Sequence, residues 1–180
     1  MNGNVKILGG LGSLFLVLSF IPYVGAVLGI AGLILLIVAV KQFADGEGRG
    51  EIFSLFLKGI LVSIIGSIVG VIILMAGVGS AAAGNSGALS WLIAGIGGVI
   101  VYAASVYGNY YVKQAFEEIA LLTGNTLFAW AGKLLFWGAI LMIVLVGSVV
   151  VWVGWILSAV AFFTTEEKRG ESVVESSGQS

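Results

Sequence analysis

Neither cysteine nor histidine occurs anywhere in the 180 residues, proline occurs once, and charged residues make up only 9% of the chain. Each scarcity excludes something. Without cysteine there is no disulfide, no iron–sulfur ligation and no thiolate chemistry. Without histidine the commonest metal ligand and the usual general base near neutral pH are missing. Haem held by His or Cys is excluded, and zinc would need a site built from carboxylates alone. The sequence therefore calls for no cofactor and no metal. A soluble domain carries roughly 25% charged residues. At 9% charged and 59% hydrophobic, with a mean hydropathy of +1.15, this chain cannot cover a water-facing surface. Lipid is the expected solvent. The net charge of −1 gives no reason to expect nucleic acid as a partner.

What is present is four apolar stretches: Ile7–Val40, Ile52–Val78, Leu89–Val112 and Leu134–Phe163. A helix crosses the hydrocarbon core in roughly 20 residues. The second and third stretches fit one crossing each, whereas the first and fourth are too long for one. The first contains Phe20-Ile21-Pro22-Tyr23-Val24-Gly25, where proline removes a backbone donor, biases its predecessor away from helix and sits beside a permissive glycine. These residues predict a hairpin of two helices, residues 5–20 and 24–43, over a single kinked helix. The fourth stretch has only Val146-Gly147-Ser148 as a turn signal. Shifting the chain by 122 positions lays Gly10, Gly25 and Gly32 on Gly132, Gly147 and Gly154, and Ile34-Leu35 on Ile156-Leu157. Such a duplication implies a second hairpin, residues 126–146 and 148–165, turning near Gly147.

The expected fold is thus all-α: a polytopic transmembrane helical bundle of six short spans, at about 5–20, 24–43, 52–78, 89–112, 126–146 and 148–165. Residues 1–169 form one transmembrane domain, and Gly170–Ser180 reads as a disordered cytoplasmic tail. Models of four or five spans divide the Lys and Arg residues between the two faces. Six spans place all of them on one side, and the positive-inside rule makes that side the cytoplasm, with both termini there. The opposite turns (Pro22–Gly25, Gly79–Ser90 and Val146–Ser148) contain no charged residue. The segment from Lys6 to Ala26 imitates a signal peptide, but a cleaved signal should be followed by polar sequence and here apolar residues continue to Val40.

No ionisable residue falls near the middle of a span, so proton relays and ion-coupled carriers lack their usual parts. Lys58 and Lys133 lie within helices and are expected to snorkel to the cytoplasmic interface. The sharper reading pairs them with Glu117 or Glu118. Ser54 and Lys58, one turn apart, have the spacing of a Ser–Lys nucleophile pair, but a serine at a helix start followed by a snorkelling lysine explains them without chemistry. The loop Asp45-Gly46-Glu47-Gly48-Arg49-Gly50-Glu51 lacks calcium-loop spacing and reads as solvated and flexible. Tyr107, Tyr110 and Tyr111 suit an interfacial belt, while the deeper Tyr102 needs a partner for its hydroxyl and marks a candidate polar pocket with Ser105 and Asn109. Gly124 is expected to end the helical extension running from Lys113, with Asn125 or Thr126 capping the next helix.

The 28 glycines read as packing surfaces: Gly25-x-x-x-Gly29, Gly66-x-x-x-Gly70 and Ala94-x-x-x-Gly98 let helix backbones approach closely, within one bundle or along a homo-oligomer seam. Ser63, Ser67 and Ser105 offer interhelical hydrogen bonds. The segment Lys6-Ile-Leu-Gly-Gly-Leu-Gly-Ser13, the Pro22-Tyr-Val-Gly25 turn, Gly32-Leu-Ile-Leu-Leu-Ile-Val-Ala39, Glu51-Ile-Phe53, Thr123-Gly124, Gly138-Ala-Ile-Leu141 and Ala161-Phe-Phe163 resemble the family called domain of unknown function 996, found in archaea and bacteria. The resemblance covers nearly the whole chain except the tail and the loop from Gly77 to Ser90. It implies a multi-pass membrane protein and supplies no activity or site residue. The leading expectation is a non-enzymatic membrane component, structural or lipid-interacting, with membrane lipids and a homo-oligomer or larger complex as partners. The alternative is a small oligomeric channel or facilitator with lysines at its cytoplasmic mouth.

Overall fold

The computed structural model describes residues 1–19, 21–85, 87–142 and 146–165. The helices are α1 (Gly3–Leu18), α2 (Gly25–Gly46), α3 (Gly50–Ala82), α4 (Ala88–Thr123), α5 (Thr126–Leu141) and α6 (Val146–Thr164), and no strand occurs among the described residues. The six expected helices are therefore present. The charged Glu166–Arg169 segment and the Gly170–Ser180 tail lie outside the described residues. Among these helices α2, α3 and α4 are long and apolar enough to cross a membrane, and the remaining three are shorter apolar helices.

Local chemistry explains where the helices stop. Around Pro22 the chain turns back, with Gly25 N–H donating to the Ile21 carbonyl (2.8 Å) and Tyr23 in the left-handed region at φ +69°. The first stretch is thus two helices. Beyond α2, Gly48 (φ +66°) and Arg49 close a Schellman motif, with Arg49 N–H on Ala44 O at 2.9 Å and Gly48 N–H on Asp45 O at 3.3 Å. The expected loose acidic loop is instead a tight, hydrogen-bonded connection. Gly84 (φ +95°) and Asn85 repeat the motif after α3, on Ala81 O and Ser80 O. As expected, Gly124 (φ +70°) ends α4, and the Asn125 side chain caps α5 by accepting from Leu127 N–H at 3.0 Å. One boundary differs from expectation. Val146 and Gly147 belong to α6, so the second terminal hairpin does not turn at Gly147.

Each helix packs on its neighbours in the chain, and α1 closes on α6, so the six form a ring. The centre of the ring is filled at one level by phenylalanines. Phe56 stacks on Phe116 (centroids 6.1 Å), Phe116 meets Phe128 edge-on (6.1 Å), and Phe128 meets Phe162 edge-on (4.8 Å). All four rings are fully buried. From α1, Gly9 lies against the Phe162 ring so closely that a Cβ there would overlap it.

Small residues let the helices meet. The α3–α4 seam follows heptad spacing on α3 through Phe56, Gly59, Ser63, Gly66, Gly70, Gly77 and Ser80. Its counterparts on α4 include Ser90, Ala94, Gly97, Val101, Ala104 and Gly108. At Gly70 a Cβ would sit 2.8 Å from Gly97 O, and at Gly97 it would sit 2.7 Å from Gly70 O. Gly12 and Gly32 face each other in the same reciprocal way between α1 and α2 (2.8 and 2.6 Å). Of the small-residue pairs read from sequence, Gly66 and Gly70 both lie in the seam. Ala94 does too, but its partner position is Gly97 rather than Gly98, because the seam alternates steps of three and four. The nearest described atoms to a Cβ at Gly25 or Gly29 belong to Ser19, at the hairpin's own turn.

Candidate functional site

The polar side chains singled out by sequence on α4 lie along one line of that helix, and each gives its hydrogen to a backbone carbonyl. Ser105 donates to Val101 O (2.9 Å) and Asn109 to Ser105 O (2.9 Å), both within α4. Tyr102 alone reaches across, donating to Ile140 O in the last turn of α5 at 3.0 Å. Each of the three half-buried groups thus directs a donor to backbone, and Tyr102 acts as a staple between α4 and α5.

Lys58 and Lys133 are exposed, as snorkelling requires. Neither takes Glu117 or Glu118 as a partner. Glu118 accepts from the Arg49 guanidinium at 3.0 Å, and Glu117 pairs with Lys113 one turn earlier on α4 at 3.4 Å. The Schellman turn before α3 carries Arg49 to α4, a long-range consequence that residue spacing does not reveal. Lys133 instead lies over the Trp130 ring (5.4 Å to its centroid), and Lys113 over Phe136 (5.8 Å). Ser54 and Lys58 are both exposed on α3. Among the described residues no three Asp or Glu side chains converge on a point where a metal ion could sit.

Several polar contacts escaped the sequence reading. Ser13 on α1 and Ser158 on α6 share a buried hydrogen bond of 2.9 Å. Trp152 on α6 donates its indole hydrogen to Val17 O in the last turn of α1 at 3.1 Å. Ser80 and Ser90 join the far ends of α3 and α4 at 2.9 Å. At the charged end, the Asn125 amide nitrogen reaches Ala161 O, Thr164 Oγ1 and Thr165 Oγ1 at 3.1–3.2 Å, clasping the start of α5 to the end of α6. A signal existed for Trp152 alone: an indole N–H in an apolar run needs an acceptor. What the arrangement builds is a set of interhelical fastenings around a filled centre, with a rim of charge at one end.

The sequence profile of DUF996, a protein of unknown function, matches residues 28–156. The chain belongs to the DUF996 family. Uncharacterized protein MJ1644 of Methanocaldococcus jannaschii is 33% identical over 170 residues, covering 89% of this chain and 91% of its own. No solved structure matches. The glycine and aliphatic motifs that resemble DUF996 thus lead to the right family. The Gly12–Gly32 contact and the Pro22 turn give two of those motifs a physical role: they close the α1–α2 hairpin.

Proposed function

We propose that this DUF996 protein is a non-enzymatic, lipid-embedded structural component of a cell membrane, with its charged end and both chain termini on the cytoplasmic side. The observation that carries the reading is the outer surface of α3 and α4. Ile72, Met75, Leu89, Trp91 and Val99 are each more than 60% exposed, and Ile65, Ile68 and Leu92 more than 55%. A water-soluble monomer rarely exposes a contiguous apolar patch larger than a few hundred Å². This one runs along two paired helices and is suited to acyl chains. Among the described residues charge is confined to the other end, where Lys41, Lys58, Lys113 and Lys133 fit the anionic headgroups of the cytoplasmic leaflet.

The absence of His and Cys, and the commitment of Tyr102, Ser105 and Asn109 to backbone carbonyls, support a non-enzymatic role. The buried phenylalanines across the centre of the ring argue against a solute path through a single copy. Purification from native membrane at neutral and alkaline pH, followed by reconstitution and solute-flux assays, tests the reading. Alkali-resistant membrane association, retained lipid and no flux are expected. Solute-selective leakage that scales with protein content would overturn it in favour of a facilitator.

A further inference from the structure

The phenylalanine layer provides a common level from which to measure each helix. Toward the uncharged end, α3 runs from Phe56 to Ala82 and α4 from Phe116 back to Ala88, about 39 and 42 Å at 1.5 Å per residue. From the same layer α5 ends at Leu141 after about 20 Å, and α6 begins at Val146 about 24 Å up. Helix α1, touching the layer at Gly9, ends at Leu18 after about 14 Å, and Gly25 of α2 lies at about 15 Å, reckoned through the Gly12–Gly32 contact. Tilt only shortens these rises.

The charged groups fix where hydrocarbon begins. Glu117 and Glu118 follow Phe116 directly on the charged side, and short carboxylate side chains cannot snorkel out of hydrocarbon. The hydrocarbon boundary therefore lies at or above the phenylalanine layer. Lys58, Lys113 and Lys133 stand within about 8 Å above it, in reach of the headgroups through their flexible stems. A hydrocarbon core of about 30 Å then extends past the ends of α1, α2, α5 and α6, which fall about 6–16 Å short of its far side.

We propose, on the basis of the membrane reading above, that only the α3–α4 hairpin crosses the bilayer, while the α1–α2 and α5–α6 hairpins enter from the charged side and turn within the hydrocarbon. Two independent observations support this. The first is the composition of the turns. The tip of α3–α4 is Ala83-Gly84-Asn85-Ser86-Gly87, small and polar as a water-facing turn should be, whereas the α5–α6 connection reads Met142-Ile143-Val144-Leu145. The second is the treatment of helix ends. Carbonyls in the last turn of a helix have no intrahelical donor, and within lipid they have no water either. Val17 O at the end of α1 receives the Trp152 indole hydrogen and Ile140 O at the end of α5 receives the Tyr102 hydroxyl, while Leu16 O takes the Ser19 hydroxyl beside the Ser19 backbone N–H. The molecule is then a wedge, with six helices in the leaflet at the charged end and two in the other. Its partner on the outer half is acyl chain packed directly on the exposed faces of α3 and α4.

The native absence of cysteine makes the test direct. Four single substitutions, Glu51→Cys, Asn85→Cys, Tyr23→Cys and Met142→Cys, are expressed in cells and probed with a membrane-impermeant maleimide in right-side-out and inverted vesicles. Glu51→Cys and Asn85→Cys are expected to label from opposite faces. Tyr23→Cys and Met142→Cys should label from neither face at more than a small fraction of those rates, yet label fully after denaturation. A fluorophore attached at Tyr23→Cys or Met142→Cys should be quenched more strongly by nitroxides on the acyl chain than by nitroxides on the headgroup. Labelling of Tyr23→Cys or Met142→Cys from the Asn85→Cys face, at a comparable rate, would overturn the proposal and restore six full crossings. Labelling of Glu51→Cys and Asn85→Cys from one face would instead refute the membrane crossing on which the proposal rests.

Discussion

Replacing Gly97 by alanine adds one methyl group at the closest approach of α3 and α4. The new Cβ would overlap the Leu74 backbone nitrogen and stand 2.7 Å from the Gly70 carbonyl oxygen, where ordinary contact begins near 3.4 Å. The two backbones must part by about 1 Å, and a gap of 0.5–1 Å forfeits roughly a quarter to a half of the dispersion well for the atoms lining it. That loss matters more in lipid than in water, because helix association there rests on van der Waals packing without a hydrophobic drive. Overpacking of this kind costs about 1–3 kcal/mol. The intrinsic gain of alanine over glycine in a helix, about 1 kcal/mol, offsets part of it. Gly95, two residues away on the same helix, has nothing within 4 Å of its would-be Cβ. Gly95→Ala therefore collects the same propensity gain without the clash, and the two variants should differ by about 1–3 kcal/mol. Unfolding by a graded SDS fraction in mixed micelles, followed by helical circular dichroism, measures the difference. Gly70→Ala against Gly79→Ala repeats the comparison from the other helix. The double variant Gly70→Ala with Gly97→Ala should cost less than the sum, since the first methyl already separates the helices. Equal stability of Gly97→Ala and Gly95→Ala would refute the seam.

Other outcomes follow from the fastenings between helices. Tyr102→Phe removes the hydrogen bond from α4 to Ile140 O and should cost about 1–2 kcal/mol, with faster amide exchange confined to the last turn of α5. Ser13→Ala and Ser158→Ala should each destabilise by about 1 kcal/mol, and the double variant by less than the sum, as a double-mutant cycle on unfolding would report. Arg49→Ala should change stability by less than about 1 kcal/mol, and high salt should abolish the difference, because the Arg49 and Glu118 side chains are 46% and 37% exposed. A loss of several kcal/mol at Arg49 would contradict the surface assignment.

The fold was largely legible because its signals are local. Hydropathy gave four apolar runs, Pro22 with Gly25 and the internal repeat split two of them into hairpins, one-sided Lys and Arg favoured six spans, and Gly124 with Asn125 marked the boundary between α4 and α5. The α5–α6 turn was misplaced at Gly147 because Met142-Ile143-Val144-Leu145 carries none of the glycine, proline or polar residues by which turns in water announce themselves. The seam was half legible. A strict spacing of four picks out Gly66 and Gly70, but an antiparallel supercoil alternates three and four and so uses Gly97 in place of Gly98. Partners distant in sequence were not legible at all. Glu118 meets Arg49, and Ser13 meets Ser158, only because ring closure of α1 on α6 and the Schellman turn before α3 bring them together. The unequal rise of the helices is likewise invisible in the sequence, since it depends on the level at which Phe56, Phe116, Phe128 and Phe162 meet.

The most direct test of lipid as the solvent of α3 is a nitroxide scan along its exposed positions, Lys58, Leu61, Ile65, Ile68, Ile72, Met75 and Val78, in reconstituted bilayers. Collision with oxygen, which concentrates in hydrocarbon, is compared with collision with a water-soluble nickel chelate. If hydrocarbon begins near Phe56 and is about 30 Å deep, the oxygen-to-nickel contrast should rise from Lys58, peak around Ile65 and Ile68, and fall again by Val78. Nickel accessibility that stays high and level from Leu61 to Val78 would contradict the account.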